Sequence, residues 1–329
     1  MKRLLSALTC ALLILGCTGE SKKVLNIYTS LDAEEAPVYL KKFQEKTGVE
    51  VKFVRMSAGE VLARLEAEKN NPQVSVWFGG PSPEFMVAKD KGLLEPYKPT
   101  LDFQMDPKHH DADWQWVGFY FGAIGFAYNE KFFKEKGLKP PESWDDLLDP
   151  NLKGQISLAF PYTSGTAYTV VASLLQKLGE EKGWDYIQKL DKQVHHYNKS
   201  GSAAVTQAGL GEVAVGISFS HDILKKGKAS GYPVALTLPK DGTGSEIGAM
   251  AVVKGAKQPE LARQFINYML STEGQGMLKE FYRVGLNPNA AVPEGAVTAA
   301  KANLIEYDAV KAATNQKTIL EKWRKVTAR

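Results

Sequence analysis

Two spacings of hydrophobic residues alternate along the chain, and together they predict strands and helices in turn. Residues 24–30 (VLNIYTS) and 49–56 (VEVKFVRM) have the β-branched content and alternation of strands, and residues 73–80 (QVSVWFGG) predict a third strand. The first two strands are followed by capping boxes, which open helices, at Asp32 with Glu35 and at Ser57 with Glu60. Strands that alternate with helices at this spacing predict a parallel, doubly wound α/β sheet.

Two long extended segments interrupt this alternation. One covers residues 116–129, which are rich in aromatic residues and glycine, and the other covers residues 245–253. A second set of strands and helices lies between them. We therefore expect a bilobal α/β protein in which two doubly wound lobes are joined by two extended crossings. Residues 24–120 and 247–329 would form lobe 1, and residues 121–246 would form lobe 2.

The N-terminal pattern differs from the rest of the chain and predicts export. A basic start precedes an apolar run at residues 4–15, which is shorter than the ~20 residues that a membrane span needs. The sequence ILGC at residues 14–17 resembles a bacterial lipobox. We expect residues 1–16 to be a signal peptide and residues 17–23 to be a tether, with lipid attached to Cys17.

Charge and cysteine content exclude several classes of protein. The whole chain has a net charge of +4, and removal of Lys2 and Arg3 with the signal peptide lowers it to +2. A charge this small, with no run of basic residues, does not fit a nucleic-acid-binding surface. Removal of Cys10 leaves Cys17 alone, so no intramolecular disulfide can form. The expected protein is exported, contacts the membrane through its lipid anchor only, and has no nucleic-acid partner.

Small hydroxyl residues and glycines recur where predicted strands end and helices begin. The candidates are Ser30, Gly80, Thr163, Ser164, Gly165, Thr166, Ser200 and Ser202. A helix N-terminus presents unpaired backbone N–H groups and about half a positive charge, and it can therefore bind an anion. Serine and threonine are also the preferred N-cap residues of any helix, so each turn alone is ambiguous. Together, these turns predict a site for a phosphate or a carboxylate.

A second group of candidates offers different chemistry. His221 and Asp222 follow a predicted buried strand, and Glu246 lies at the start of the second extended segment. Carboxylates accept hydrogen bonds and imidazole donates or accepts them, so these residues could bind a ligand with many hydroxyl groups. The same residue types bind metal ions, and Asp222 could equally be a helix cap beside a surface histidine. The residues alone leave these three interpretations open.

The sequence lacks the common patterns of catalytic and nucleotide-binding sites. GxSxG, the P-loop pattern GxxxxGK[ST] and GxGxxG are all absent, and the only cysteine expected to remain after export is Cys17. We therefore expect a protein that is not an enzyme and that needs no cofactor.

Four long segments, together with the lipobox, resemble one known family. They are GFYFGAIGFAYN, SWDDLLDPNLKGQISLAFP, KSGSAAVTQAGLGEVAVGISFSHD and DGTGSEIGAMAVVKGAKQPELARQFINYMLS. In this order they resemble bacterial ABC-transporter solute-binding proteins with the type II periplasmic binding fold, in the ferric-iron-binding-like group, over nearly all of residues 24–290. The resemblance implies a monomer that faces the periplasm or the cell exterior and delivers a solute to an ABC permease and its ATPase. Residues 117–129 and 241–250 would supply the hinge between the lobes.

The residues after the strand at 211–219 distinguish branches of this group. Ferric-iron binders have two adjacent tyrosines there, whereas this chain has Ser220, His221 and Asp222. With Glu246, this pattern resembles the branch that binds hexose phosphates. The resemblance implies that His221, Asp222 and Glu246 bind sugar hydroxyls. It also implies phosphate contacts from Ser30, Ser164, Gly165, Thr166, Ser200 and Ser202.

Alternative ligands stay open within the same resemblance. A receptor for ferric iron or another metal would use His221, Asp222 and Tyr197. A receptor for 2-aminoethylphosphonate would share the anion-binding turns, and a hydrolase on the same fold would need catalytic residues that the sequence does not indicate. The preferred expectation is a phosphorylated small organic solute, with hexose phosphate first.

Overall fold

The computed structural model describes residues 23–329. The predicted signal peptide at 1–16 and lipidated Cys17 lie outside the described residues. The strands are β1 Val24–Thr29, β2 Glu50–Arg55, β3 Val76–Pro81, β4 Leu94–Glu95, β5 Val117–Asn129, β6 Ile156–Ala159, β7 Val194–Asn198, β8 Val215–Phe219, β9 Val234–Thr237, β10 Ser245–Val253 and β11 Val284–Gly285. The helices are α1 Ala36–Thr47, α2 Ala58–Ala67, α3 Ser82–Asp90, α4 Glu130–Lys136, α5 Gly165–Leu178, α6 Glu180–Asp191, α7 Gly201–Leu210, α8 Ser220–Leu224, α9 Pro259–Leu270, α10 Thr272–Gly276, α11 Ala309–Thr314 and α12 Gln316–Thr327.

Two groups of parallel strands are joined by two long antiparallel strands. The main strand order is β2-β1-β3-β10-β5-β8-β6-β7, in which β1 is parallel to β2 and β3, and β6 is parallel to β7 and β8. The first half of β5 pairs with β10, and its second half, from Ile124, pairs with β8. The strands β5 and β10 are thus the two predicted extended crossings, and the expected two-lobed α/β fold is confirmed.

Each group of parallel strands has its own hydrophobic core. The core around β1 and β3 contains Phe43, Phe78 and Phe265, in which the Phe265 ring meets both other rings edge to face. The core around β6 is filled by α5 and α6 and contains Trp144 and Tyr168. Burial of these large side chains is the main source of stability in each core.

The C-terminal helices pack against the core around β6. Ile319 and Trp323 of α12 are buried in that core, where the Trp323 ring meets Phe160 and Tyr197 edge to face. The sequence pattern assigns the whole of residues 247–329 to lobe 1. It did not indicate that α12 packs against the core around β6. The lobe boundaries stay a prediction.

The two capping boxes have different outcomes. The box at Ser57 and Glu60 is confirmed, because the Glu60 carboxylate accepts from the Ser57 N–H at 3.0 Å where α2 begins. The helix α1 begins only at Ala36, after a turn in which the Asp32 backbone carbonyl accepts from Glu35. The Asp32 carboxylate is held by Lys225 at 2.5 Å and therefore does not cap the helix. Within residues 23–329, no helix has the length and apolar character of a membrane span.

Candidate ligand-binding site

A pocket lies where the carboxyl ends of the parallel strands meet, as is usual for open α/β sheets. The turns after β1, β2, β3, β6, β7 and β8 all contribute to its wall. The lining residues are Ser30, Asp32, Arg55, Ser57, Ala58, Gly80, Pro81, Tyr120, Ser164, Gly165, Thr166, Ser200, Gly201, Ser202, Phe219, His221, Asp222, Glu246 and Arg283. Polar side chains and backbone dominate this wall, which suits a polar solute.

The structure brings together all but one of the predicted ligand-binding residues. Those that line the pocket are Ser30, Gly80, Ser164, Gly165, Thr166, Ser200, Ser202, His221, Asp222 and Glu246. Thr163 lies outside the lining, because its hydroxyl donates to the backbone carbonyls of Phe160 and Lys199 at 3.2 and 3.0 Å. Its role is therefore to hold the turn before α5.

Tyr197, the third residue of the alternative metal site, lies away from the pocket. Its hydroxyl donates to Asp191 at 2.9 Å, and its ring packs against Trp323. Within the part of the chain that the structure describes, no group of three or more histidine, cysteine, aspartate or glutamate residues is arranged to hold a metal ion. The set of His221, Asp222 and Tyr197 is thus not assembled.

One half of the pocket is built from three helix N-termini. The first residues of α2, α5 and α7 all lie in its wall, and each of these helices has ten or more residues. These first residues border the same space, and helix N-termini favour an anion there. At α2 the Gly59 N–H already donates to the Thr163 carbonyl, at 3.0 Å. Ser164 caps α5 by accepting from Ala167 N–H at 3.3 Å, and Ser200 Oγ lies 3.1 Å from Ser202 Oγ at the start of α7.

Glycine makes this convergence of turns possible. A Cβ on Gly165 would lie 2.6 Å from Pro81, and one on Gly201 would lie 2.4 Å from Thr166 Oγ1. Gly80 has a φ of 109°, a conformation that other residues rarely adopt. Each glycine therefore allows a close approach between two turns.

Arg55 supplies the formal positive charge of this half. Its guanidinium donates to Ser200 Oγ at 2.9 Å, to Ser57 Oγ at 3.3 Å and to the backbone carbonyl of Leu31 at 3.2 Å. One guanidinium beside three helix N-termini could bind an anion such as a phosphate, since arginine is always charged and its donors match phosphate geometry.

The other half of the pocket is a buried cluster of charged and titratable groups. His221, Asp222, Glu246 and Arg283 have exposed fractions of 3, 6, 3 and 3 %. The His221 Nε2 atom lies 3.7 Å from Glu246 Oε1, 3.8 Å from Asp222 Oδ1 and 2.7 Å from Arg283 Nη1. The pocket thus combines an anion-binding half with a half that holds several hydrogen-bonding groups.

Burial changes the titration of this cluster. Burial, together with the nearby Arg283 and Lys225, lowers the pKa of His221 well below its usual value, so the ring is neutral at physiological pH. Burial raises the pKa of Glu246 well above its usual value and that of Asp222 above its own. His221 Nδ1 and both carboxyl oxygens of Glu246 are buried without a hydrogen-bond partner in the described structure. Such groups are costly unless a ligand pairs with them.

Several lining residues were not predicted from the sequence. Arg55 could have been noticed, because it ends a predicted strand at the same edge as Ser30. Asp32 was interpreted as a helix cap, but it lines the pocket and its carboxylate accepts from Lys225 Nζ. Tyr120 and Arg283 carry no local signal, since they reach the pocket only through the crossing β5 and the turn before β11.

Known proteins similar to this chain have the same fold and a common role. Residues 82–313 match the family described as bacterial extracellular solute-binding protein. The chain is similar to the periplasmic binding protein AfuA from Actinobacillus pleuropneumoniae, solved with exogenous fructose-6-phosphate bound, at 36 % identity and a TM-score of 0.89 over 94 % of this chain and 99 % of that chain. It is also similar to the periplasmic binding protein P5PA, at 31 % identity and a TM-score of 0.88 over 93 % of this chain and 100 % of that chain.

A relative from Haemophilus influenzae (strain ATCC 51907 / DSM 11121 / KW20 / Rd) matches over most of both chains. It is 34 % identical over 328 residues, which are 97 % of this chain and 94 % of the relative. The chain therefore belongs to the family of bacterial extracellular solute-binding proteins, the solute-binding components of ABC transporters, and it has the type II periplasmic binding fold.

Proposed function

We propose that this protein binds a phosphorylated small organic solute, with hexose phosphate preferred, and delivers it to an ABC permease and its ATPase. The observation that carries the proposal is the two-part pocket. An anion-binding half made by Arg55 and three helix N-termini faces a half with unpartnered, buried donors and acceptors. A phosphate joined to a polyhydroxylated body has the chemistry to satisfy both halves.

The phosphate would lie among the hydroxyl-rich turns. Backbone N–H groups of the turns that start α5 and α7 would donate to its oxygens, assisted by the Ser164 and Ser200 hydroxyls and by Arg55. This arrangement favours a doubly charged phosphate, because one guanidinium and three helix dipoles act on the same point.

The sugar would lie against His221, Asp222 and Glu246. A hydroxyl group can donate to a carboxyl oxygen and accept from the imidazole at the same time, which would pair atoms that otherwise have no partner. A similar protein, 36 % identical, was solved with fructose-6-phosphate bound, and this supports the same class of ligand here.

The mechanism we propose is closure of two lobes around the solute. The predicted lobe 1 contributes Ser30 and Arg55 to the pocket, and the predicted lobe 2 contributes Ser164, Ser200 and His221. A ligand that contacts both lobes binds the closed form better and shifts the population toward it. The hinge would lie at residues 117–129 and 241–250, where the two crossings run side by side.

The protein is exported, as its family is, and the position of the predicted lipid on Cys17 fits a receptor held near its permease. The described fold begins at β1, immediately after the predicted tether at residues 17–23. Anchoring through lipid at the cell envelope and a monomeric state are parts of the proposal.

A thermal-unfolding panel on the purified protein tests the ligand class. A ligand at a hundredfold excess over its Kd stabilises the folded state by about 2.7 kcal/mol, which raises Tm by several degrees. We expect glucose 6-phosphate and fructose 6-phosphate to raise Tm, and glucose at the same concentration to leave it unchanged. A shift with ferric salts alone, or with 2-aminoethylphosphonate but no sugar phosphate, would overturn the proposal.

A matched pair of variants tests the anion-binding half within the same panel. Ser164→Asp keeps a good N-cap for α5 but places a negative charge where the phosphate would lie. Ser271→Asp is the control, because Ser271 caps α10 by accepting from Gly274 N–H at 3.1 Å and does not line the pocket. We expect S164D to abolish the shift with glucose 6-phosphate and S271D to retain it. Equal shifts in both variants would show that the phosphate does not lie at α5.

A further inference from the structure

Three buried residues from distant parts of the chain form a continuous line of hydrogen bonds beside the pocket. Glu35 immediately precedes α1, His221 lies in α8, and Arg283 immediately precedes β11. The Arg283 guanidinium donates to both carboxylate oxygens of Glu35, with Nη2 at 2.9 Å from Oε2, and Nη1 lies 2.7 Å from His221 Nε2. Tyr39 donates its hydroxyl to Glu35 at 2.7 Å. The exposed fractions of Glu35, His221 and Arg283 are 0, 3 and 3 %.

The chemistry of arginine determines which nitrogen of His221 carries the proton. A guanidinium has five N–H donors and no acceptor, so a nitrogen 2.7 Å from it must accept. His221 Nε2 is therefore unprotonated, and the proton of the neutral ring lies on Nδ1. Without Arg283 the preference would reverse, because the next polar atoms around Nε2 are carboxyl oxygens of Glu246 and Asp222 at 3.7 and 3.8 Å, which favour an N–H there.

We propose that Arg283, held by Glu35, is a positioning residue that fixes His221 as the Nδ1–H tautomer, so that the pocket presents a hydrogen-bond donor beside the carboxyl oxygens of Glu246 and selects a hydroxyl group there. The tautomer follows from the protein alone. The selection of a ligand hydroxyl rests on the proposed function.

Packing holds this line of residues in place. The Tyr120 ring lies 4.2 Å from the Arg283 guanidinium and meets the His221 ring edge to face at 5.5 Å. The Phe219 ring stacks on His221 at 5.6 Å. The chain turns into Arg283 through Tyr282, which has a φ of 57°, a conformation uncommon for residues other than glycine. A strained turn is retained only where its surroundings hold it, and here it directs Arg283 inward.

The unpartnered atoms of the cluster lie on the same side of β5. A Cβ on Gly122 would lie 2.8 Å from His221 Nδ1 and 3.2 Å from Glu246 Oε1, so both atoms are close to one stretch of β5 backbone. A donor and a carboxyl oxygen near one another match a hydroxyl, which accepts from one and donates to the other. A ligand with an ammonium group in place of this hydroxyl cannot accept from Nδ1–H. A ligand with only a hydrogen atom there can neither accept from Nδ1–H nor donate to the carboxyl oxygen.

Nitrogen NMR of the full chain with labelled histidine tests the tautomer without any ligand. Long-range proton–nitrogen correlation spectra distinguish a protonated ring nitrogen from an unprotonated one. We expect wild-type His221 to show a protonated Nδ1 and an unprotonated Nε2. A wild-type ring with its proton on Nε2, or an equal mixture of the two tautomers, would overturn the proposal.

Substitution of Arg283 tests what fixes the tautomer. We expect Arg283→Met to move the proton to Nε2 or to give a mixture, and Arg283→Lys to restore Nδ1–H, because an ammonium group also only donates. The double variant Glu35→Gln with Arg283→Met avoids an unpaired buried carboxylate and keeps the test valid if R283M does not fold. Retention of Nδ1–H in a folded variant without the arginine would overturn the role of Arg283.

Binding of ligand analogues tests the selection of a hydroxyl. Single-position deoxy and amino analogues of glucose 6-phosphate should reveal one ring position where loss of the hydroxyl weakens binding about tenfold to hundredfold. In R283M this discrimination should disappear, and equal discrimination in R283M and wild type would overturn the role of Arg283. Equal binding of all analogues would overturn the selection. Failure of glucose 6-phosphate itself to bind would overturn the proposed function but leave the NMR result on the tautomer standing.

Discussion

At the scale of single residues, the pocket contains two buried side chains, His221 and Glu246, with polar atoms that lack a partner among the described residues. The core residues are apolar, whereas His221 and Glu246 keep unpartnered polar atoms inside the fold. Burial of such atoms costs free energy, so the fold gives up stability at the place where a ligand would restore it. Function and stability are therefore in opposition at these residues.

Glu84 is a buried acid outside the pocket lining, and its titration predicts how stability depends on pH. It lies in α3 at 1 % exposure, its Oε2 atom has no partner in the described structure, and burial raises its pKa to about 8. Between an unfolded pKa near 4.5 and about 8, the unfolded chain is ionised at this residue while the folded chain holds the proton. The stabilising contribution is complete below the unfolded pKa and is lost as the pH rises, at up to about 1.4 kcal/mol per pH unit.

Glu84→Gln should remove this slope, because an amide does not titrate. Urea unfolding of wild type and E84Q at pH 5, 6, 7 and 8 would measure the slope of the free energy of unfolding against pH. The contributions of the other carboxyl groups are the same in both proteins and cancel in the difference. We expect E84Q to gain stability relative to wild type as the pH rises. Glu135→Gln, in an exposed position on α4, is the control and should show no trend. A constant difference between wild type and E84Q would contradict the prediction.

Individual residues were predicted well where local sequence determines them and poorly where the fold brings distant segments together. Ser164 and Ser200 precede predicted helices, and together with the other hydroxyl-rich turns this position predicted that they line one site. Arg283 lies 248 positions from its partner Glu35, and nothing around either residue indicates the pair. Tyr197 was included in the alternative metal site because of its residue type, but its side chain bonds Asp191 and packs against Trp323, outside the pocket lining.

At the scale of elements, the N-terminus of α5 is packed too closely against β3 to accept a side chain. Gly165 is the first residue of this helix, and a Cβ there would lie 2.6 Å from Pro81 and 3.0 Å from Glu84. Pro81 belongs to β3, so the extra methyl group would push α5 away from the turn after that strand. Gly165→Ala should therefore weaken glucose 6-phosphate binding about tenfold or more.

A second helical glycine provides the control for this prediction. Gly276 is the last residue of α10, has a φ of −63° and precedes the short helix at 277–281. A Cβ placed there would have no neighbour from another element within 4 Å among residues 23–329. Gly276→Ala should leave binding unchanged and should keep or slightly raise Tm, since alanine loses less entropy on folding. Calorimetric titration and thermal unfolding of both variants measure the two effects. Wild-type affinity in G165A would contradict a close contact between α5 and β3.

Most elements follow from the hydrophobic pattern, and the exceptions have physical reasons. The crossings β5 and β10 were predicted from long, mostly apolar runs, which are rich in aromatic residues and glycine in β5 and carry one charge, Glu246, in β10. The helix α6 was missed, since it starts directly after Gly179 and its apolar residues are spaced among charges. The packing of α12 on the core around β6 was also missed, because an amphipathic helix shows that it packs but not against which surface.

At the scale of the whole molecule, two neighbouring lysines, Lys225 and Lys226, form ion pairs that connect the predicted lobes. Lys225 Nζ lies 2.5 Å from Asp32, and Lys226 Nζ lies 2.8 Å from Glu34. A backbone hydrogen bond from Gly59 N–H to the Thr163 carbonyl, at 3.0 Å, joins the same two parts of the chain. Because both members of each ion pair could be hydrated if the lobes separated, the pairs would act on the balance between the proposed open and closed forms.

The two ion pairs differ in how deeply they are buried, and this predicts different free-energy costs when each pair is broken. The side chains of Lys225 and Asp32 are 3 and 14 % exposed, whereas Glu34, the partner of Lys226, is 58 % exposed. Loss of one partner from a buried pair leaves an uncompensated charge, while an exposed pair contributes little. Lys225→Met should therefore weaken glucose 6-phosphate binding about tenfold to hundredfold, and Lys226→Met by less than about fivefold.

Solution scattering on the same variants separates closure from direct contact with the ligand. Neither lysine side chain belongs to the pocket lining, so a loss of affinity in K225M should come with a larger radius of gyration at equal ligand concentration. K226M differs by one position and should remain as compact as wild type. If both variants bind and close alike, the buried pair does not govern closure, and the energy that holds the lobes together must come from the ligand itself.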